Sequence, residues 1–307
     1  MGTFIPPVSR GDDFIAPSSH PPKKPAIVIV QGIMQTKIHY NYFVSLLNLE
    51  GYDVYYPDLP SNTRQKETTN MYDDAAVIKQ FLEVLIMRQH RQVIVIMHCY
   101  GGVVGTQAVT QNLVKKWRER YKLEGGVVHL MYIAAFMLPL GDSVATVVLR
   151  DKVCGERWDW EETFHMLPDQ KLVMKDAGRL FYNDTVFSTR KPSFWATFVQ
   201  NMYHTHLLDP LTNAQYFELR CTYVCCKLDR FLSEDGQCTM VEKMLEANVE
   251  IDMDTVNSGH VPFLRAPSDI VEIVNKLDLT PPEPIETRRN HYIGGRQEVN
   301  RRMLQSG

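Results

Sequence analysis

The chain has 307 residues, 33 Lys and Arg against 36 Asp and Glu, and a formal net charge of −3. Hydrophobic residues make up 44% and charged residues 22%, ordinary values for a globular chain that disfavour both a basic nucleic-acid binder and an acidic disordered segment. Six cysteines in this length are no disulfide framework; Cys225 and Cys226 are adjacent and would face opposite sides of a strand, so reduced thiols in a cytoplasmic setting are expected.

Residues 1–24 are rich in Pro, Ser and Gly, lack the apolar run of a secretory signal, and read as a flexible arm. Ala26 to Val30 is a short β-branched run closed by Gln31-Gly32, the pattern of a strand buried in a parallel sheet. A helical stretch from about Tyr40 to Leu49 stops at Gly51, and Tyr52 to Tyr56 is a second strand ended by Pro57. Asp73 is expected to cap a helix running to about His90. Val93–Met97 and Val127–Ala135 are the third and fourth strands. Cys221–Cys226 and Val249–Met253 supply two more, and Ile270–Leu277 the last helix. Alternation of strands and helices implies βαβ units and a mainly parallel sheet with helices on both faces, an α/β fold.

Residues 140–219 break the rhythm and read as a helical lid inserted into a core of residues 25–139 and 220–280. Among the lid's aromatics, Trp158, Trp195 and Phe198 are candidate substrate contacts. Residues 281–307 form a polar, Arg-containing tail, expected to be solvated or packed back. No run is apolar and long enough to span a bilayer.

The segment Met97-His98-Cys99-Tyr100-Gly101-Gly102 follows a buried strand directly and opens an apolar helix. Strand, sharp turn with small residues and helix are the setting of a nucleophile elbow. The turn would strain Cys99 and lift its sulfur above the sheet, where the helix N-terminus favours negative charge. Gly101 would let the helix pack close. A buried structural cysteine is the plainer alternative.

A nucleophile needs a base, and His260 falls in a loop between the last strand and the last helix, with Gly259 permitting a tight turn. His204 and His206 sit in the lid, and His98 points the wrong way along the elbow. Asp229, in the loop after Cys225-Cys226, would orient His260; Asp235 is a competitor farther from the strand end. The oxyanion hole would use the N–H groups of Tyr100 and Ile33. The chain order Cys99, Asp229, His260 matches a known hydrolase triad order. Metal-ligand spacings and Gly-rich phosphate loops are missing, so no metal and no cofactor is expected.

Over residues 25–277 the chain resembles the α/β-hydrolase superfamily. Gln31-Gly32-Ile33 looks like the family's His-Gly-x turn with Gln for His, and Tyr56 to Ser61 like the loop after its second strand. Ala134 to Pro139 is similar to the lid entrance, and Gly259-His260-Val261-Pro262-Phe263 to the histidine loop, of the esterase and hydroxynitrile-lyase-like branch. Met97 and Cys99 depart from the G-x-S-x-G elbow. The cysteine nucleophile resembles that of fungal thiohydrolases that release polyketide chains, some with lactone closure.

Thiolate attack on an oxygen ester tends to revert, because thiolate is the better leaving group. On a thioester the two leaving groups are matched and the acyl-Cys formed stays activated. The expected function is therefore an acyl-transferring hydrolase releasing an acyl chain, as acid or macrolactone, from a small thiol or an acyl carrier domain of a synthase. A carboxylesterase, a lyase or isomerase relying on His260 alone, and a non-catalytic ligand binder remain alternatives.

Overall fold

The computed structural model describes residues 24–63, 69–155, 159–185, 199, 201–277, 279–280 and 282. Its centre is a six-stranded, wholly parallel sheet of β1 (Ala26–Val30), β2 (Val54–Tyr55), β3 (Gln92–His98), β4 (Gly126–Ile133), β8 (Arg220–Cys226) and β9 (Ile251–Val256). The spatial order is β2-β1-β3-β4-β8-β9. Order reverses between β1 and β3, so the chain leaves these two strands in opposite directions and opens a crevice at their C-terminal ends. All of β1 is buried; each of its Ile and Val side chains stabilises the fold by about 2 kcal/mol.

Helices cover the sheet: α1 (Asn41–Leu49), α2 (Pro60–Thr63), α3 (Met71–Glu83), α4 (Gly101–Ala108), α5 (Lys115–Arg120), α6 (Val144–Asp151), α7 (Trp160–Thr163), α8 (Ala177–Leu180), α9 (Glu234–Glu246), α10 (Pro262–Arg265) and α11 (Pro267–Asn275). The expected boundaries shift for local reasons. Asn70, not Asp73, caps α3: its side chain accepts from the N–H groups of Tyr72 and Asp73, while Asp73 accepts from the Asn70 N–H at 3.0 Å. The helix then widens into a π turn over Val84–Arg88. Strand β9 runs on to Val256 because it is an edge strand, where Asp252 and Asp254 face solvent without interrupting the ladder to β8. Helix α11 starts early because Pro267 suits a first helical position.

The inserted segment is not the purely helical lid expected. Its described residues include a three-stranded antiparallel sheet of β5 (Phe164–Met166), β6 (Lys171–Met174) and β7 (Met202–Tyr203) beside α6, α7 and α8. A hairpin turn at Leu167-Pro168-Asp169-Gln170 redirects the chain, with Gln170 in the left-handed region (φ 66°) and the Leu167 N–H donating to the Lys171 carbonyl at 2.8 Å. Trp158, Trp195 and Phe198 lie outside the described residues. No described helix is long and apolar enough to cross a membrane.

Candidate active site

The elbow is built as its sequence implies. β3 ends at His98 and α4 begins at Gly101, leaving Cys99 to make the turn at φ 52°. A left-handed backbone at a non-glycine residue costs about 1–2 kcal/mol. Three backbone bonds hold it: the Cys99 N–H donates to Ile133, and its carbonyl accepts from Gly102 and Phe136, both at 3.0 Å. Gly101 is needed for space, since a Cβ there would stand 2.3 Å from the Val30 carbonyl oxygen.

Asp229 and His260 meet because neighbouring strands deliver them. β8 and β9 pair through Cys226 and Val256, and their exit loops stay zipped, Lys227 N–H to Val256 and Leu228 N–H to Ser258, each at 3.0 Å. Asp229 Oδ2 then lies 2.7 Å from His260 Nδ1. Its other oxygen accepts from the N–H groups of Phe231 (2.8 Å) and Leu232 (2.9 Å), which fixes the carboxylate. The competitor Asp235 is exposed in the first turn of α9.

Among the described residues, no group makes a hydrogen bond of good geometry to His260 Nε2. With Nδ1 held by Asp229, Nε2 is the nitrogen left for Cys99, whose sulfur is near enough to act on the His260 ring. Burial alone would lower the His260 pKa; the Asp229 carboxylate and the Cys99 sulfur oppose it, and the net effect raises it to about 10. The arrangement favours the imidazolium form of His260.

The other expected groups take these places. Ile33 follows Gly32, and a Cβ on Gly32 would come within 3.0 Å of Cys99 Cβ. Among the described residues, neither the Ile33 nor the Tyr100 N–H donates to another protein group. His98 does turn away from the sulfur, but it is structural rather than idle. Its Nε2–H donates to the His260 carbonyl at 2.8 Å, and its Nδ1 faces the Gln35 side chain at 2.9 Å and the Tyr40 hydroxyl at 3.0 Å. That hydroxyl accepts from the Gly32 N–H at 2.9 Å. Burial and the neighbouring His260 push the His98 pKa well down, so it stays neutral.

The His204 ring makes a long contact to the Gln170 carbonyl, at 3.4 Å. His206 is buried beside Tyr100, ring centroids 6.4 Å apart. The Tyr100 hydroxyl donates to buried Asp74 at 2.9 Å; Asp74 also accepts from the Ser61 N–H, and burial raises its pKa. Neither Asp74 nor Tyr40 was legible as a site residue, because each contact spans distant segments.

Cys99 and His260 have no exposed surface. The sulfur, which the turn was expected to lift above the sheet, is not reachable from solvent in this state. Phe181 of the insert stacks on the His260 ring (4.9 Å, 25°), and Phe231 meets its edge at 5.0 Å. Among the described residues, no cluster of three His, Cys, Asp or Glu side chains could hold a metal ion.

Parallel sheet, strained cysteine elbow and an Asp–His pair at the same sheet edge define the class: an α/β-hydrolase fold. The chain belongs to the alpha/beta hydrolase family, whose model matches residues 27–273. It is 25% identical over 254 residues to the alpha/beta hydrolase nvfD of Aspergillus novofumigatus, covering 82% of this chain and 95% of that one. It is 23% identical over 268 residues to the probable hydrolase R7 of a Phoma species, covering 83% and 98%. Among solved structures it is similar to a pyrethroid hydrolase from Sphingobium faniae, with TM-score 0.62, 18% identity and coverage of 82% and 96%. A complex of tomato methylketone synthase I with 2-tridecanone gives TM-score 0.62, 15% identity and coverage of 83% and 99%. At these identities the solved structures speak for the fold alone. Family membership makes the chain an enzyme of the hydrolase superfamily, with fungal hydrolases among its relatives.

Proposed function

We propose that the protein is an acyl-transferring hydrolase in which Cys99 is the nucleophile, His260 the acid and base, and Asp229 the orienting carboxylate. The observation that carries this reading is the free, buried Nε2 of His260 facing an elbow cysteine while Nδ1 is anchored to Asp229. The substrate class is an acyl thioester, free or on a carrier domain. The Cys99 thiolate attacks the carbonyl carbon, forming a C–S bond and an oxyanion received by the N–H groups of Ile33 and Tyr100. Collapse breaks the original C–S bond, and the departing thiolate takes the proton from His260. An incoming water or a hydroxyl on the same chain then gives its proton to His260 Nε2 and attacks the acyl-Cys. Cys99 leaves as thiolate and the product is the acid or the lactone.

The test is intact mass after incubation with a hydroxyacyl thioester, followed by a product profile of free acid against lactone. An acyl adduct confined to Cys99, absent in Cys99→Ala, is expected. Turnover that survives Cys99→Ala but is lost in His260→Ala would replace this reading with lyase or isomerase chemistry.

A further inference from the structure

Consecutive residues of the inserted segment touch the loops that carry the candidate groups. Phe181 lies on the His260 imidazole. The Tyr182 hydroxyl is 2.6 Å from Nε2 of His39, which ends the 3₁₀ turn Lys37–His39 beyond Ile33. Asn183 Nδ2 donates to the Leu228 carbonyl at 2.9 Å, directly before Asp229. Asp184 Oδ2 accepts from the Ser258 hydroxyl at 2.9 Å and from the Gly259 N–H at 2.6 Å, directly before His260. The contact is close: a Cβ on Gly259 would stand 2.6 Å from Asn183 Oδ1 and 2.8 Å from Asp184 Oδ1. Gly259 has no left-handed φ, so it serves this approach rather than the tight turn that its position suggested.

Two donors converging on one carboxylate oxygen make a charge-assisted latch, stronger than a neutral pair. The latch acts on the loop of His260, its neighbour acts on the loop of the orienting Asp229, and Phe181 covers the imidazole. The turn that holds the two loops is therefore the same turn whose Phe181 lies on the imidazole. We propose that Asn183 and Asp184 are positioning residues, and that docking of the Phe181–Asp184 turn both covers Cys99 and sets His260 against it. An acyl donor enters with the turn undocked, and redocking assembles the nucleophile–base pair. The catalytic meaning of this device rests on the acyl-transfer reading; the coupling of cover to pair does not.

The experiment follows Cys99 alkylation by iodoacetamide against pH, resolved peptide by peptide, in the full-length protein. Asp184→Ala, Asp184→Asn and Asn183→Ala are compared with the unaltered chain. Cys221, buried in β8 where the strand begins, far from the elbow edge, is the internal control. In Asp184→Ala, Cys99 is expected to label about tenfold to a hundredfold faster on the high-pH plateau, because the cover is released. The midpoint of its pH profile moves up, because His260 no longer faces the thiolate squarely. With a thioester substrate, kcat falls by about tenfold or more, and KM changes much less. Asn183→Ala gives the same pattern more weakly. Asp184→Asn, which keeps an oxygen for the Gly259 N–H, restores part of the kcat. Labelling of Cys221 stays at its original rate.

Unchanged Cys99 labelling and midpoint in Asp184→Ala overturn the proposal. So does acceleration of Cys221 together with Cys99 in both Asp184→Ala and Asn183→Ala, which would make the turn a general folding element. Absence of an acyl adduct in the unaltered protein would count against acyl transfer alone, since alkylation needs no substrate.

Discussion

Asp229→Asn isolates what the orienting carboxylate does. The side-chain shape is kept, and the amide oxygen still accepts from the Phe231 and Leu232 N–H groups that hold Asp229 now. The other end changes. An amide N–H directed at Nδ1 forces the neutral imidazole to carry its proton on Nε2, the nitrogen that has to accept one. The charge is also lost. The rise of the His260 pKa from 6.5 to about 10 amounts to about 5 kcal/mol in favour of the imidazolium at about 1.4 kcal/mol per unit. Asp229 is the largest of the groups that raise it. Its removal withdraws about 2–3 kcal/mol, or about a hundredfold in the population of protonated His260; the wrong tautomer adds to that, and the same substitution in a serine triad costs about 10⁴. Acylation by a thioester, read as the burst in a stopped-flow experiment, should slow by about 10²–10⁴, and the melting temperature should fall by a few degrees because the same stabilisation is withdrawn from the fold. A burst within about threefold of the original rate would refute the claim that Asp229 sets the state of His260.

The raised pKa of His260 has a sign in stability as well as in rate. Its contribution is complete below the unfolded value near 6.5, declines as pH rises, and is gone above about 10. Melting temperatures of the unaltered protein should therefore fall more across pH 7–10 than those of His260→Gln; parallel curves would contradict this. Gly101→Ala puts a methyl group against the backbone carbonyls of Val30 and Gln31, which cannot swing aside as a side chain could, and should cost about 3 kcal/mol in urea unfolding. Tyr40→Phe strands the buried Gly32 N–H and removes a neighbour of His98 Nδ1, so a loss of about 1–3 kcal/mol is expected by the same measurement.

How much of this was legible in the chain follows from the range of each interaction. The buried strands announce themselves locally, since Ala26–Val30 and Gln92–His98 are apolar runs with turn residues at their ends. The elbow is equally local, because strand, strained residue, glycines and helix lie within one short segment. Asp229 and His260 were legible as groups following strands. That β8 and β9 are neighbours, which brings the two side chains together, is a property of the sheet order. The insert was misread because its aromatics mimic helical spacing, while the stronger signal was the Pro168-Asp169 turn joining β5 and β6. The Asp184 latch left no local trace. It joins residues 74 apart in sequence, and only the glycine at 259 hints that another backbone segment comes close.

Burial of the proposed nucleophile looks at first like an argument against catalysis, since a covered sulfur reacts with nothing. The geometry points the other way. A structural cysteine in an apolar core has no need of left-handed backbone or of an imidazole whose far nitrogen is anchored and whose near nitrogen is unpaired; an unpaired buried donor or acceptor costs about 1–3 kcal/mol. Cys221 in the same sheet has neither, and simply directs its thiol to the carbonyls of Tyr216 and Leu219. At Cys99 and His260 the strained backbone and the unpaired nitrogen face each other, where a reacting carbonyl and an incoming hydroxyl would relieve the unmet hydrogen bonding. On the acyl-transfer proposal, closure then has a chemical consequence. An acyl-Cys sealed beneath Phe181 meets whichever hydroxyl is enclosed with it, so the ratio of lactone to acid should report how completely the insert excludes water.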